Sequence, residues 1–359
     1  MRRFDKVISV WQNKIQVECR ARSAGRGRSR STRIDSKGQA NVSQATAATM
    51  TSDRYPFTPF ARGWFRVAYA DEVAPGEVKR LQYFGRELVL FRTESGVARV
   101  FDAHCPHLGA HLGVGGTVVG EGIRCPFHHW EFGTDGVCTR VPYADKIPPK
   151  AIAHTWPVVE KNGLVLLYHD AEGGEPSFEL PDITEIDDPA WLPLDRSFWT
   201  VRANWLDMNE NCVDKAHFKY VHGTLTIPPT TAEIQGPLHI ATSQFRMRTP
   251  DGEADAELVT LDYGPGFQLV RMSGLIDSLM INTATPIDEE NTDVSFAYTV
   301  KADGDERKQH LADAIIKDLK NQFEADRPIW ENKAHWKRPN LCGGDGPVST
   351  YRKWYSQFI

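Results

Sequence analysis

The chain has 359 residues, 41% hydrophobic and 25% charged, with a formal net charge of −5. These are the values of an ordinary globular protein of about two domains, and they exclude a collagen-like, disordered or disulfide-scaffold class. No apolar run approaches the roughly 20 residues that a membrane-spanning helix needs, and 31 Lys/Arg against 44 Asp/Glu after residue 49 argue against a nucleic-acid partner.

The first 49 residues differ from the rest. They carry 11 Lys/Arg against 3 Asp/Glu, and Arg20 to Arg33 hold almost no apolar side chain. A transit peptide has this composition, and so does an unstructured basic tail. A misassigned start, with translation beginning at Met50, would also produce it. The last two readings are preferred. Residues 1–54 are set apart as an extension, and folding is expected from Tyr55 onward.

From Gly63 to about Asp170, short β-rich runs alternate with turn signals. Leu88–Phe91 and Val97–Val100 surround Glu94-Ser95-Gly96, and Trp156–Val159 and Leu164–Tyr168 flank Asn162-Gly163, a strong hairpin signal. Residues 55–170 are therefore expected to form a small all-β domain. Gly173, Gly174, Pro176 and Pro181 mark 171–182 as a linker.

Residues 171–359 read as a second domain of α+β class. Residues 204–222 look helical but interrupted. Strands are expected at Phe245–Arg248, Glu257–Tyr263, Gln268–Ser273, Leu279–Thr285 and Val294–Val300. A helix from about Glu306 to Asp326 follows, with Leu311, Ile315, Leu319 and Phe323 forming one buried stripe. A large antiparallel sheet with a long helix is α+β, here of the helix-grip, START-like kind. No internal repeat is visible.

Four cysteines (Cys19, Cys138, Cys212, Cys342) are scattered. Cys105 and Cys125 lie in histidine-containing motifs, which points to metal binding in a reducing compartment. A cytoplasmic location is expected, with peripheral membrane contact left open.

Cys105-Pro-His107 is followed, 17 residues on, by Cys125-Pro-Phe-His128. Two thiolates and two imidazoles on two loops can hold a [2Fe–2S] cluster, with the cysteines on one iron and the histidines on the other. Gly109, Gly113, Gly115 and Gly116 would let the first loop turn tightly and aim N–H groups at the sulfurs. A structural zinc site uses the same ligand types, but zinc fingers pair the two cysteines first and then the two histidines. His104, His111 and His129 break the spacing and are read as non-ligands.

The second constellation is Asn204-Trp205, Glu210-Asn211, Asp214, His217 and His222. Residues five apart on a regular helix point about 140° apart, so the helix must break or bulge for both histidines to meet one ion. Two imidazoles and a carboxylate form the facial triad of non-haem Fe(II) oxygenases. Asp326 is the chosen carboxylate: it continues the buried stripe, Pro328 is expected to end or kink the helix just beyond it, and a buried acid needs a partner. Glu324 falls off the stripe and is expected to be solvated.

Cys105-Pro-His107-Leu-Gly-Ala and Cys125-Pro-Phe-His128-His-Trp130 resemble the Rieske domain of ring- and sterol-hydroxylating oxygenases. The resemblance covers about residues 60–335. Within that superfamily, the His-x-x-x-Val-His form of 217–222 and the late Asp-x-x-Ile-Trp are most similar to the 3-ketosteroid 9α-hydroxylase oxygenase component and the cholesterol 7-desaturases. The resemblance implies a mononuclear Fe(II) beside the [2Fe–2S] cluster, O2 as co-substrate, and a separate ferredoxin or flavin reductase. It implies a homotrimer in which Asp214 bridges a cluster histidine of one subunit to an iron-ligating histidine of its neighbour. The expected activity is hydroxylation or desaturation of an apolar, steroid- or sterol-like molecule in a cavity walled by the sheet. An aromatic-ring dioxygenase uses the same metals, an electron carrier would not need the second domain, and a lipid-binding module would not need iron. Substrate, oxidised position and reductase are not legible in the sequence.

Overall fold

The structure is a computed structural model that describes residues 54–55, 60–224, 226–249, 252–274 and 276–359. The basic extension, apart from Arg54, lies outside the described residues. Tyr55–Arg246 and Asp255–Ile359 form one compact unit.

Among the described residues, eleven strands build the first domain. They are β1 (Gly63–Tyr69), β2 (Val78–Tyr83), β3 (Arg86–Arg92), β4 (Ala98–Asp102), β5 (Thr117–Val119), β6 (Gly122–Arg124), β7 (Glu131–Phe132), β8 (Cys138–Arg140), β9 (Thr155–Trp156), β10 (Val158–Lys161) and β11 (Leu164–His169). They form three antiparallel sheets, ordered β1-β11-β10, β2-β3-β4-β9 and β5-β6-β7-β8. The hairpin signal is realised between β10 and β11: Asn162 (φ 53°) and Gly163 (φ 74°) are both left-handed, as a type I′ turn requires.

The second domain is a seven-stranded antiparallel sheet. Its strands are β12 (Asp195–Val201), β13 (Thr230–Gln235), β14 (Leu238–Thr249), β15 (Gly252–Tyr263), β16 (Phe267–Ser273), β17 (Ser278–Pro286) and β18 (Thr292–Val300), in the order β12-β18-β17-β16-β15-β14-β13. The five expected strands are all present, and β12 and β13 add both edges. Helices α1 (Trp205–Asn209) and α2 (Lys215–Tyr220) come early; α3 (Glu306–Asn332) and α4 (Val348–Tyr355) follow the sheet.

Period-2 alternation assigns the two faces of this sheet. Phe267, Leu269, Leu279, Ile281 and Ala297 pack against Trp64, Leu164, Leu166 and Tyr168 of the first domain. Val201, Ala284 and Val294 pack on the other side with Phe323 and Trp330 of α3 and Tyr351 and Trp354 of α4. Burying each such aromatic side chain contributes roughly 1.5–3 kcal/mol.

One expectation is corrected. Pro328 does not end α3, which runs on to Asn332. Proline forgoes one backbone hydrogen bond, and the burial of Phe323, Asp326 and Trp330 on both sides of it outweighs that loss. The segment 171–182, read as a linker, holds no helix or strand and is tied down at its far end. Leu180 and Ile183 are buried, and Asn162 of the hairpin turn clamps the chain, donating to Pro181 O (2.9 Å) and accepting from Ile183 N (3.0 Å).

A buried polar joint ties the domains. Arg66 donates to Thr283 Oγ1 (2.9 Å) and Asp293 Oδ2 (2.9 Å), and Tyr83 OH donates to the same Asp293 oxygen (2.7 Å). Removing one partner of a buried pair leaves a bare charge. Asp293→Ala is therefore expected to lower unfolding stability by about 3 kcal/mol, read from denaturant midpoints. An isosteric Asp293→Asn, which still accepts one hydrogen bond, should lose less.

Candidate functional site

The first candidate centre lies on two loops of one design. Cys105 N–H donates to Ala110 O (2.9 Å) and Gly109 N–H to Cys105 O (2.9 Å). In the second loop Cys125 N–H donates to Trp130 O (2.8 Å) and His129 N–H to Cys125 O (3.2 Å). The fifth residue of each loop is left-handed, Gly109 at φ 76° and His129 at φ 58°. At Gly116 an added Cβ would lie 2.1 Å from the Leu112 carbonyl oxygen, so only glycine lets the first loop close.

The loops bring the expected ligands together as two pairs, the cysteines in one apolar cluster and the histidine rings side by side. Cys105 and Cys125 are buried in one apolar cluster with Leu112, Ile123, Phe132 and Cys138. Burial pushes the Cys105 thiol up to about 12, against the pull of the His107 backbone N–H, and the neighbouring Cys125 adds to the rise. The rings of His107 and His128 are 4.8 Å apart, and His128 Nδ1 is buried with no hydrogen-bond partner. An unsatisfied buried histidine nitrogen and a thiol that burial keeps protonated both fit a cluster site: a bound metal would use the lone pair and deprotonate the thiol. His107 stacks on Trp130 (4.3 Å, 9°), whose indole N–H donates to Tyr143 OH (2.8 Å). Trp130 stood in the motif, but only the structure shows it bracing a histidine. His104 lies 3.5 Å from Glu87, His111 Nδ1 accepts from Gly113 N–H (3.0 Å), and His129 is exposed.

The second candidate centre sits where the helix breaks, as the five-residue spacing requires. After α1 the chain passes through a 3-10 turn (Glu210–Cys212) and restarts at α2, capped by Asp214. Asp214 Oδ1 accepts from Ala216 N (3.1 Å) and His217 N (3.3 Å). The second helix ends at Tyr220, and His222 N–H reaches back to His217 O (3.4 Å) in a π-type bond. That distortion turns both rings to one side, with centroids 5.0 Å apart.

Asp326 completes the group. One ligand atom each from His217, His222 and Asp326 lies within 4.8 Å of the others, and His222 Nε2 is 3.1 Å from Asp326 Oδ2. His217 Nδ1 hydrogen-bonds the Asp214 carbonyl, which fixes the tautomer and leaves Nε2 as the lone pair. Burial pushes the His217 imidazole below its ordinary value, partly offset by Asp214 and Asp326, so it is held neutral as a ligand must be. Glu324 is exposed and accepts from Trp199 Nε1 (2.9 Å). Two imidazoles and one buried carboxylate fit a divalent iron.

Sequence reading missed Asp318. It takes the Gln322 side-chain amide at 2.5 Å, and burial raises its carboxyl although that hydrogen bond pulls the other way. Its place at i−4 from Gln322 and i−8 from Asp326 was the available signal. Also missed was a buried network in which Asp262 accepts from His239, Asn209 and Gln268 (2.7–2.8 Å).

Comparison with known proteins follows the same two-part division. Residues 63–157 match the Rieske [2Fe–2S] domain family, and residues 167–359 match the 3-ketosteroid 9α-hydroxylase C-terminal domain family. The chain belongs to the Rieske oxygenases. It is 32% identical to a probable 3-ketosteroid-9α-monooxygenase oxygenase component of Rhodococcus rhodochrous, over 83% of this chain and 80% of that one. It is also 32% identical to cholesterol 7-desaturase nvd of Xenopus laevis, over 83% of this chain and 72% of the relative. Dicamba monooxygenase bound to dicamba shares the fold with a TM-score of 0.66 at 19% identity, covering 82% of this chain and 96% of that one. The Rieske oxygenase is thus an oxidoreductase whose cofactors are a [2Fe–2S] cluster and a non-haem iron, with O2 as co-substrate. Among the described residues no helix is long and apolar enough to cross a membrane.

Proposed function

We propose that this Rieske oxygenase is the oxygenase component of a multi-component system that hydroxylates or desaturates an apolar, steroid- or sterol-like molecule. The observation that carries the reading is the meeting of His217, His222 and Asp326 in a chain that also pairs His107 with His128 and buries Cys105 and Cys125 in one cluster. The first three would hold a mononuclear iron, and the other four the cluster. Bound there, the two groups supply one-electron transfer and dioxygen activation.

The chain's own residues set the conditions for that chemistry. The Asp214 carbonyl orients His217, and Asp326 supplies the negative charge. Toward its N-terminal end α3 presents Leu311, Ile315, Ile316 and Leu319 to Met272, Met280 and Tyr298 of the sheet. This apolar packing lies on the helix that carries Asp326 and excludes water there. Electrons would come from a separate ferredoxin or flavin reductase. The proposal includes a homotrimer, in which Asp214 stands between His217 and a cluster histidine of the next copy. It also includes a domain division at 170/171 and a cytoplasmic location. The relatives do not favour the aromatic-ring dioxygenase reading.

Anaerobically purified protein is expected to hold about three irons per chain. His128→Ala should lose the cluster's visible absorbance and keep the mononuclear iron. Zinc without cluster absorbance would sink the assignment. Substrate class is tested by substrate depletion with sterols, 3-ketosteroids and simple aromatic acids under a surrogate reductase. Turnover of the aromatics alone would overturn the steroid reading.

A further inference from the structure

His217 and His222 come from one segment and Asp326 from another far along the chain, so something outside the triad must fix their separation. An ångström of slack between ligands is enough to spoil a metal site. The two segments meet in a cluster of charged side chains. Asp207, on α1, is fully buried, and its Oδ1 accepts from His335 Nδ1 at 2.7 Å. Asp207 Oδ2 is buried with no hydrogen-bond partner. Lys333, the first residue past α3, donates to the Asp207 carbonyl (3.1 Å) and reaches Glu210 Oε2 at 3.4 Å. Arg352 on α4 donates to the other Glu210 oxygen.

This cluster is coupled to both halves of the triad. Val213 N–H and Asp214 N–H both return to the Glu210 carbonyl (3.0 Å each), so a shift at Glu210 carries directly to the cap of α2 and to His217. Lys333 N–H bonds the Ile329 carbonyl (2.9 Å), one turn beyond Asp326. Asp207, Glu210 and His335 stand close enough to bind a metal, but the Lys333 ammonium already fills the cation's place, 3.8 Å from Asp207 Oδ1. Stability does not explain the cluster. Buried ion pairs are often no better than apolar side chains of the same size, and α1 already buries Trp205, Leu206 and Met208.

We propose that Asp207 and His335, with the Lys333–Glu210 pair, are positioning residues: a clasp that sets the distance between His217/His222 and Asp326, and with it iron affinity and coordination geometry. This rests on the reading of the triad as the iron site.

The test uses full-length protein with its cluster oxidised, stripped of mononuclear iron and titrated anaerobically with Fe(II). Affinity is read by equilibrium dialysis. Geometry is read from the EPR signal of the nitric oxide complex, which loss of stability alone would not change. His335→Ala is expected to bind Fe(II) about tenfold more weakly with an altered rhombicity. His335→Asn, whose amide can donate to Asp207, should recover most of the affinity. Lys320→Ala, which breaks an exposed pair with Asp195 elsewhere on α3, should change nothing. Affinity of His335→Ala within about twofold of wild type, with an unchanged signal, overturns the clasp. So does an Asn variant as weak as the Ala variant. If His335→Ala does not fold, the partly exposed Lys333→Gln decides: weaker binding supports the clasp and unchanged binding overturns it. Equal Fe(II) binding by wild type and His217→Ala would instead overturn the iron-site reading itself.

Discussion

Asp326→Ala is expected to lower mononuclear iron occupancy at least about tenfold while leaving the cluster absorbance intact. The carboxylate is 7% exposed and faces His222 Nε2 at 3.1 Å. Burial of that charge costs free energy unless a cation or donor meets it. Bound Fe(II) does so, and in return the carboxylate supplies the charge that holds the metal. Asp326→Asn keeps the volume and removes the charge, so it separates ligation from packing: it should lose iron nearly as fully as the alanine variant. Glu324→Ala forfeits the exposed bond to Trp199, worth about 1 kcal/mol, and should keep its iron. Iron lost from Glu324→Ala and retained in Asp326→Ala would mean that the helix register is wrong.

The legible part of this chain was what local chemistry dictates. C-x-H and C-x-x-H need no tertiary knowledge, because each loop delivers its two ligands by its own backbone pattern. The five-residue gap between His217 and His222 already required a break, and the π-type bond at His222 is its form. Asp326 was reachable because α3 carries a stripe and an acid on a stripe needs a partner. What stayed hidden depends on contacts between distant segments. Nothing local marks Asp207 as the partner of His335 or Asp262 as the acceptor of His239, since each looks like an ordinary polar residue in its own window. Pro328 misled in the other direction: its local preference to stop a helix yields to burial of Asp326 and Trp330 around it. The edge strand β12 was overlooked because its alternation is weak, with Asp195 exposed and Trp199 half-buried under Phe323.

Asp214→Asn is expected to keep both metals, the cluster absorbance and the thermal transition, yet to lose turnover by about a hundredfold or more. That magnitude matches the loss of a single group acting only in the reactive state. The variant matters because Asp214 has two jobs in the structure. Its Oδ1 caps α2 through Ala216 N and His217 N, and its carbonyl orients His217. Alanine would remove the cap as well, at about 1 kcal/mol, and with it the bond to the His217 backbone N–H, so a dead Asp214→Ala would prove little. Asparagine retains an oxygen for the cap and the carbonyl for His217, and removes only the charge. The carboxylate is half-buried and lines a cavity of about 160 Å³ with Glu210, Lys333 and Arg352. A charge in that place is what a protonated histidine from a second copy would need. Single-turnover measurement separates the steps: with reductant and substrate supplied, the Asn variant should reduce its cluster at the wild-type rate and then fail to oxidise it. Cluster reoxidation at the wild-type rate would take Asp214 out of the path between the metals and leave it as a helix cap.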